Sequence, residues 1–307
     1  MTNTFHDYSS VRATTTASSH LAHGYRWEKS SGNYVEIKSY SQPEGQGAGL
    51  VFSCVKDYAR WVHALLQRKV PGLSDSTQNE VITPRIIIAD ESEGKVPFYG
   101  QAYYALGWVI QQFRGKTVIG HWGSMTGFQS SVRWVPELGW GLVTMGNSNG
   151  GNDVADVVFS VLADELLDIP VGDHVGWRAF QQKRNEDTDE EKDERFFGLD
   201  PDDVLPMRLP LMEYGGKYHN DGYHDIVLQI KNDRLWADCS DRCFPFTLWF
   251  EHLSGDDFLV DIWDILENEG RKVKSKFRID TKKNVNALGI AFEEEMESEM
   301  IWFTRTG

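Results

Sequence analysis

The chain has 307 residues, 40% of them hydrophobic and 12% aromatic, which is length for about two domains and apolar material for a core in each. Its formal charge is −15, yet residues 1–165 carry 13 Lys+Arg against 15 Asp+Glu, so nearly all the acidity lies in the C-terminal half. Such a surface repels phosphate backbones and anionic lipid, which excludes nucleic acid as the main partner, and no run approaches the roughly 18 apolar residues of a membrane helix.

Met1-Thr-Asn-Thr-Phe-His-Asp-Tyr8 has neither the basic nor the apolar region of a signal peptide. Cys54, Cys239 and Cys243 are too few, and odd in number, for a disulfide framework, so a cytoplasmic protein without a membrane partner is expected. Cys239 and Cys243 form a lone C-x₃-C with no second ligand pair, so they read as two thiols in or beside a strand. No metal and no cofactor is expected.

Residues 9–48, rich in Ser, Thr and Gly with short candidate strands such as 34–37, read as ordered loop. Ser53 is a candidate N-cap for an amphipathic helix whose Val55, Tyr58, Val62, Leu65 and Leu66 fall at helical spacing until Pro71-Gly72 ends it. Ser92-Glu-Gly-Lys95 matches S-x-x-K, but a charged turn ahead of Pro97 is the wrong place for a serine that must start a buried helix. Segment 104–113 predicts a strand, Arg114-Gly115 a tight turn, and 116–120 a second strand that delivers His121 at its end. His121-Trp-Gly-Ser-Met-Thr-Gly-Phe128 is then a His-x-Gly triplet followed by a glycine-punctuated turn. Strands at 129–135 and 140–145, around a turn at 136–139, set it inside an antiparallel meander.

Gly146-Asn-Ser-Asn-Gly150 matches G-x-S-x-G between a strand and a helix, which makes Ser148 an alternative nucleophile. Against it, Gly150-Gly-Asn152 delays a helix that should begin at the serine, and the preceding strands pair as meanders; a Gly/Asn loop is the plainer account. Asn152 or Asp153 caps a helix over 154–167, ended by Asp168-Ile-Pro170 and expected to lie across the sheet. Residues 181–195 hold no apolar side chain and predict a solvated linker or an exposed helix. From Leu209 onward, short β segments at intervals of about ten residues, near 216–218, 224–230, 234–238, 245–250, 257–261, 274–280 and 300–304, predict a small up-and-down barrel or a sandwich. Tyr218-His-Asn220 copies a Y-x-N triplet within that all-β tail, and Glu293-Glu-Glu295 reads as a solvated edge.

Taken together, Gly49-Leu-Val-Phe-Ser-Cys-Val-Lys-Asp-Tyr-Ala-Arg-Trp-Val-His-Ala-Leu-Leu66, Leu106-Gly-Trp108, Gly120-His-Trp-Gly-Ser-Met-Thr-Gly-Phe128 and Trp134-Val-Pro-Glu-Leu-Gly-Trp-Gly141 resemble the serine β-lactamase-related superfamily. That group includes class C β-lactamases, esterases, D-alanyl-D-alanine carboxypeptidases and fungal acyltransferases. The resemblance implies an α+β fold: residues 1–168 as the C-terminal part of a β-lactamase/transpeptidase-like domain, an antiparallel sheet with flanking helices. A charged linker over 169–208 and an all-β, lipocalin-like barrel over 209–307 follow. It also implies a serine hydrolase or acyltransferase acting on a small-molecule or peptide-like ester or amide. His-x-Gly takes the place of Lys-Thr-Gly on the strand edging the site. By resemblance, His121, Trp122, Gly123 and Ser124 line the substrate, His121 contacting it or the proton network, Gly123 allowing close approach and the Ser124 N–H acting as an oxyanion donor.

The family places its S-x-x-K helix and Y-x-N loop ahead of a stretch that Met1-Thr-Asn-Thr-Phe5 resembles. The expectation is therefore a truncated chain without the family nucleophile, inactive as it stands, exposing a sheet face through which copies self-associate. The alternatives are a non-catalytic binding or scaffold pseudoenzyme, and an unrelated hydrolase using Ser148.

Overall fold

The computed structural model describes residues 21–37, 46–49, 51–88, 96–194, 204–293 and 299–307. Met1-Thr-Asn-Thr-Phe5, Ser92-Glu-Gly-Lys95, residues 195–203 of the expected linker, and Glu294 and Glu295 lie outside them. The chain divides into two units, Met1–Asn185 and Glu186–Gly307.

The first unit opens with a hairpin of β1 (Gly24–Glu28) and β2 (Asn33–Ile37). After a single turn, α1 (Gln46–Gly49), comes α2 (Val55–Leu66). Its N-cap is Cys54, not the predicted Ser53, because Cys54 has the extended backbone and its carbonyl accepts the Asp57 and Tyr58 N–H groups. A short α3 (Asp75–Val81), which periodicity did not reveal, is capped by Ser74 Oγ accepting from the Thr77 N–H at 3.1 Å.

Six strands form one antiparallel sheet in chain order: β3 (Ile86–Ile87), β4 (Tyr103–Tyr104), β5 (Val109–Phe113), β6 (Lys116–Met125), β7 (Phe128–Val135) and β8 (Trp140–Gly146). The predicted strand over 104–113 is broken by a corner in which Gly107 takes φ +82°, a conformation glycine adopts without strain. The meander and the Arg114-Gly115 turn stand as predicted, but β6 runs on to Met125, so His121 is mid-strand rather than at a strand end. The reason is the partner: β7 pairs with β6 as far as Met125↔Phe128, leaving only Thr126 and Gly127 for the turn.

Helices cover both faces. Val62 of α2 buries against Trp108, Ile119, Val132 and Trp134, and a Cβ on Gly141 would stand 2.5 Å from Val62 Cγ1, so glycine lets α2 lie directly on β8. On the other face, α4 (Gly151–Leu166) packs Phe159 and Ala163 against Phe113, Val118 and Val135. Neither Asn152 nor Asp153 caps α4; the N-cap is Gly150 at φ 84°, and the Asn152 N–H is satisfied instead by Gln129 Oε1 of β7 at 2.9 Å. The segment around 181–195 takes the helical alternative within α5 (Trp177–Glu194), whose Trp177 is buried beside Phe113. A buried pair ties these pieces together. Arg114 Nε donates to Asp164 Oδ1 at 2.6 Å, Trp177 Nε1 donates to Asp164 Oδ2 at 2.9 Å, and the Arg114 guanidinium lies 3.6 Å over the Phe98 ring.

The second unit is a closed, up-and-down antiparallel barrel, the first of the two predicted arrangements. Its strands are β9 (Gly216–Asn220), β10 (His224–Lys231), β11 (Arg234–Cys239), β12 (Phe246–Ser254), β13 (Asp257–Asp264), β14 (Glu269–Ile279), β15 (Val285–Ile290) and β16 (Ile301–Arg305), and β16 closes onto β9. Alternate residues fill the interior, among them Leu235, Leu248, Phe250, Phe258, Phe277 and Leu288, as the width of eight strands permits. Strand β15 was not predicted; its Gly289 breaks the β pattern, and the Trp302 ring of β16 covers that glycine. Tyr218 of the Y-x-N copy is fully buried, its hydroxyl donating to the Tyr214 carbonyl at 2.7 Å, and burial pushes its pKa up to about 12. Asn220 Oδ1 accepts from the Gly222 and Tyr223 N–H groups and so closes a turn. Among the described residues no helix is long and apolar enough to cross a membrane, and no group of three or more His, Cys, Asp or Glu could hold a metal.

Candidate active site

Strand β5 pairs with β6 only from Phe113↔Lys116 to Val109↔Gly120. Beyond Gly120, residues 121–125 of β6 pair, among the described residues, with no strand but β7, so there that side of the strand is an open edge. Which backbone groups face it follows from alternation. The pair closing a two-residue hairpin, Met125↔Phe128, is hydrogen-bonded, as are Gly123↔Ser130 and His121↔Val132, so Trp122 and Ser124 turn their N–H and C=O groups outward.

His121 is held beside this edge by both ring nitrogens. Nδ1 lies 2.6 Å from the Trp122 carbonyl oxygen and Nε2 lies 3.1 Å from the Tyr104 hydroxyl. A carbonyl can only accept, so in the neutral ring Nδ1 carries the proton, Nε2 is the acceptor, and the Tyr104 O–H donates to it. The Tyr104 ring stands edge-on to the imidazole at 5.9 Å, and the half-exposed Trp122 ring stacks on it at 5.5 Å.

The remaining predicted residues are positioned by glycine contacts and one polar relay. A Cβ on Gly123 would meet Ser130 Oγ at 2.8 Å, so only glycine fits there without displacing that hydroxyl. Gln129 receives the α4 Asn152 N–H on Oε1 and donates from Nε2 to Ser124 Oγ at 3.4 Å, linking the helix start to the site strand. Beyond the site, Gly24 of β1 packs on Gly127 and Phe128, and Gly49 on Met125, which pins the hairpin tip.

Ser148 lies elsewhere, in a loop clamped by β1. The Tyr25 N–H donates to the Asn147 carbonyl and the Trp27 N–H to Asn149 Oδ1, each at 3.0 Å. Ser148 lines a depression of about 280 Å³ with Tyr34, Thr144 and Val154, and its Oγ bonds no histidine or carboxylate among the described residues. The structure therefore brings His121, Trp122, Gly123 and Ser124 together and leaves Ser148 apart. It adds Tyr104, which the sequence reading passed over: seventeen positions upstream, it reaches His121 only through the corner at Gly107 that returns β4 alongside β5.

Residues 2–166 match the family model described as Beta-lactamase. The chain belongs to the beta-lactamase family. That makes it a relative of the serine β-lactamases. The second unit of this beta-lactamase-family chain matches, over residues 200–305, a model described as Domain of unknown function (DUF3471). Similar proteins include "Unguisins hydrolase ungD'" of Aspergillus campestris, 26% identical over 98% of this chain and 56% of its own length. Another is "Unguisins hydrolase ungD" of Aspergillus violaceofuscus, 29% identical over 98% of this chain and 57% of its own. The chain thus spans 56–57% of the length of these curated relatives. Among solved structures, the octameric penicillin-binding protein homologue from Pyrococcus abyssi is similar at a TM-score of 0.47 and 19% identity, over 99% of this chain and 57% of that one.

Proposed function

We propose that residues 121–125 form the strand wall of an acyl-transfer site for a small-molecule or peptide-like ester or amide. The observation that carries this is the open edge of β6, with the His121–Tyr104 pair beside it. A substrate laid along the edge meets the outward Ser124 N–H, which suits the oxygen of a polarised carbonyl, while Gly123 leaves room for close approach. His121, with Nδ1 anchored, presents Nε2 to Tyr104, so a proton can pass between ring, phenol and substrate. Hydrolysis is the activity in the names of both similar Aspergillus proteins, and it is proposed here on that support.

The imidazole of His121 bonds only Tyr104 and Trp122 among the described residues, with no serine in reach. In this proposal the nucleophile comes from outside them, and the described residues alone turn nothing over. A fluorophosphonate probe is then expected to leave this chain unlabelled. A protein that also carries an in-frame upstream Ser-x-x-Lys and Tyr-x-Asn should label and cleave p-nitrophenyl acetate, with His121→Ala lowering kcat on the order of 10²-fold. Unrelated sequence upstream, or an unchanged kcat in His121→Ala, overturns the proposal. Label on this chain that vanishes in Ser148→Ala would move the chemistry to Ser148.

A further inference from the structure

The barrel interior is filled, and at the end where β9 turns into β10 and β11 leads into β12 its aromatic packing opens into a cavity of about 230 Å³. Its floor is Ile226, Phe246, Phe292 and Phe303, with ring centroids 6.1 Å apart between Phe292 and Phe303 and 6.2 Å apart between Phe246 and Phe292. Tyr223 forms one wall, lying flat against Phe292 at 5.6 Å with an interplanar angle of 9°. Phe244 forms another; its ring is 50% exposed and, among the described residues, packs on no other ring.

These walls are fixed in advance. Asn220 Oδ1 holds the Gly222 and Tyr223 N–H groups, and the next residue, His224, takes φ 59°, a left-handed conformation that a non-glycine residue keeps only where its surroundings impose it. Arg242 ties the two turns together, Nη2 donating to the Asp225 carbonyl and Nη1 to the Asp241 carboxylate at 2.7 Å. Arg271 Nη2 anchors the Phe292 carbonyl at 2.7 Å. A cavity with its walls already held loses little freedom when a ligand enters.

Size and charge narrow what that ligand is. An enclosed apolar cavity of about 150 Å³ is enough for benzene. At about 230 Å³ this one holds a single aromatic ring with a short chain. Arg242 is engaged by protein oxygens, whereas Glu293 accepts the Tyr223 hydroxyl on Oε1 and has no partner on Oε2 among the described residues. A carboxylate with an open acceptor beside aromatic faces favours an ammonium group and repels an anion. The surrounding half of the chain reinforces that preference, since residues 166–307 carry 18 Lys+Arg against 31 Asp+Glu. We infer that this mouth of the barrel binds a small aromatic amine, with its ring against Phe244, Phe246 and Phe292 and its ammonium group on Glu293. Every wall of the cavity belongs to the second unit, so the inference does not rest on the acyl-transfer reading of the first.

The test is binding of 2-phenylethylamine to the full chain, read as heat and as movement of the Ile226 methyl resonance on the cavity floor. Half-saturation is expected at about 1 mM or below, a range open to so small a ligand, with phenylacetate at least about fivefold weaker. Glu293→Gln keeps an acceptor for Tyr223 and removes the charge, so it should weaken the amine about fivefold and leave the neutral 2-phenylethanol unchanged. Phe244→Ser removes a wall and should weaken amine and alcohol alike, by about tenfold, at unchanged circular dichroism. If Phe244→Ser fails to fold, Glu293→Gln decides alone. An Ile226 methyl that stays still up to about 10 mM amine overturns the inference, as does phenylacetate binding as tightly as the amine, or amine binding that the folded variants retain in full.

Discussion

In the barrel every strand has a neighbour on each side, from β9 through β16 and back to β9, and the interior is packed with side chains. The six-stranded sheet of the first unit ends at β3 and β8, and β6 outgrows β5 by residues 121–125. Both are antiparallel sheets of hairpins, yet one closes on itself and the other, among the described residues, leaves one side of residues 121–125 without a strand neighbour. Closure spends the hydrogen-bonding capacity of the strands on the fold itself, whereas an open edge keeps it for something else. The contrast predicts that the barrel answers to the loss of packing, and the open sheet to the loss of the polar ties and covering helices that fix its edges.

The largest effect is expected inside the barrel. Phe277, 1% exposed and in contact with Tyr214, Tyr218, Phe250 and Phe258, leaves a cavity when cut to alanine, at a cost of about 4 kcal/mol. Chemical denaturation followed by the tryptophans of each unit measures it; a loss below about 1 kcal/mol would mean the interior collapses around the gap, unlike a closed and filled barrel. In the open sheet, Asp164→Ala strands Arg114 beside Phe98 and frees the indole of Trp177. It should cost about 3 kcal/mol, the lower end for a broken buried pair because Arg114 keeps some access to water. The same denaturation separates the cases: the transition that Asp164→Ala lowers should be that of the first unit. A shift of both transitions together would erase the distinction between the units.

The smallest effect lies on the barrel surface. Asp225 bonds the His219 ring and raises its pKa, and hydrogen bonds from Lys217 and His219 lower that of Asp225. The histidine's contribution is complete below its ordinary value and fades as pH rises through the raised one. The aspartate's is complete above its ordinary value and fades as pH falls through the lowered one. The pair is therefore fully engaged between the ordinary carboxylate and imidazole values, about pH 4 to 6.5. An NMR titration should find the His219 midpoint above the ordinary imidazole value and see it fall in Asp225→Asn, part of the rise staying with Asp221, which lies 3.3 Å from Nε2. An unmoved midpoint would show that this exposed cluster does nothing.

Much of this architecture was legible as pattern. Alternation gave the meander around His121, helical spacing gave α2, and regular short strands gave a barrel or sandwich, with closure and β15 left to be found. Local chemistry misled at the ends of elements. Ser53 and Asn152 have good capping side chains, but the caps fell to Cys54, whose backbone is extended, and to Gly150, which takes a left-handed turn at φ 84° that glycine adopts without strain. At the site, His121, Trp122, Gly123 and Ser124 were adjacent in sequence and could be named together. Tyr104 could not, because its contact with His121 depends on a corner at Gly107.

The sequence by itself determined the chain's kinship, its hairpin order and the residues of its His-x-Gly strand, since these are carried by short-range periodicity and ordered motifs. Only the tertiary structure decided that residues 121–125 lie on an open edge among the described residues, which backbone groups face it, and that Tyr104 donates to His121. Those properties follow from where neighbouring strands stop and which way each residue of a pair faces, and a single strand's sequence records neither.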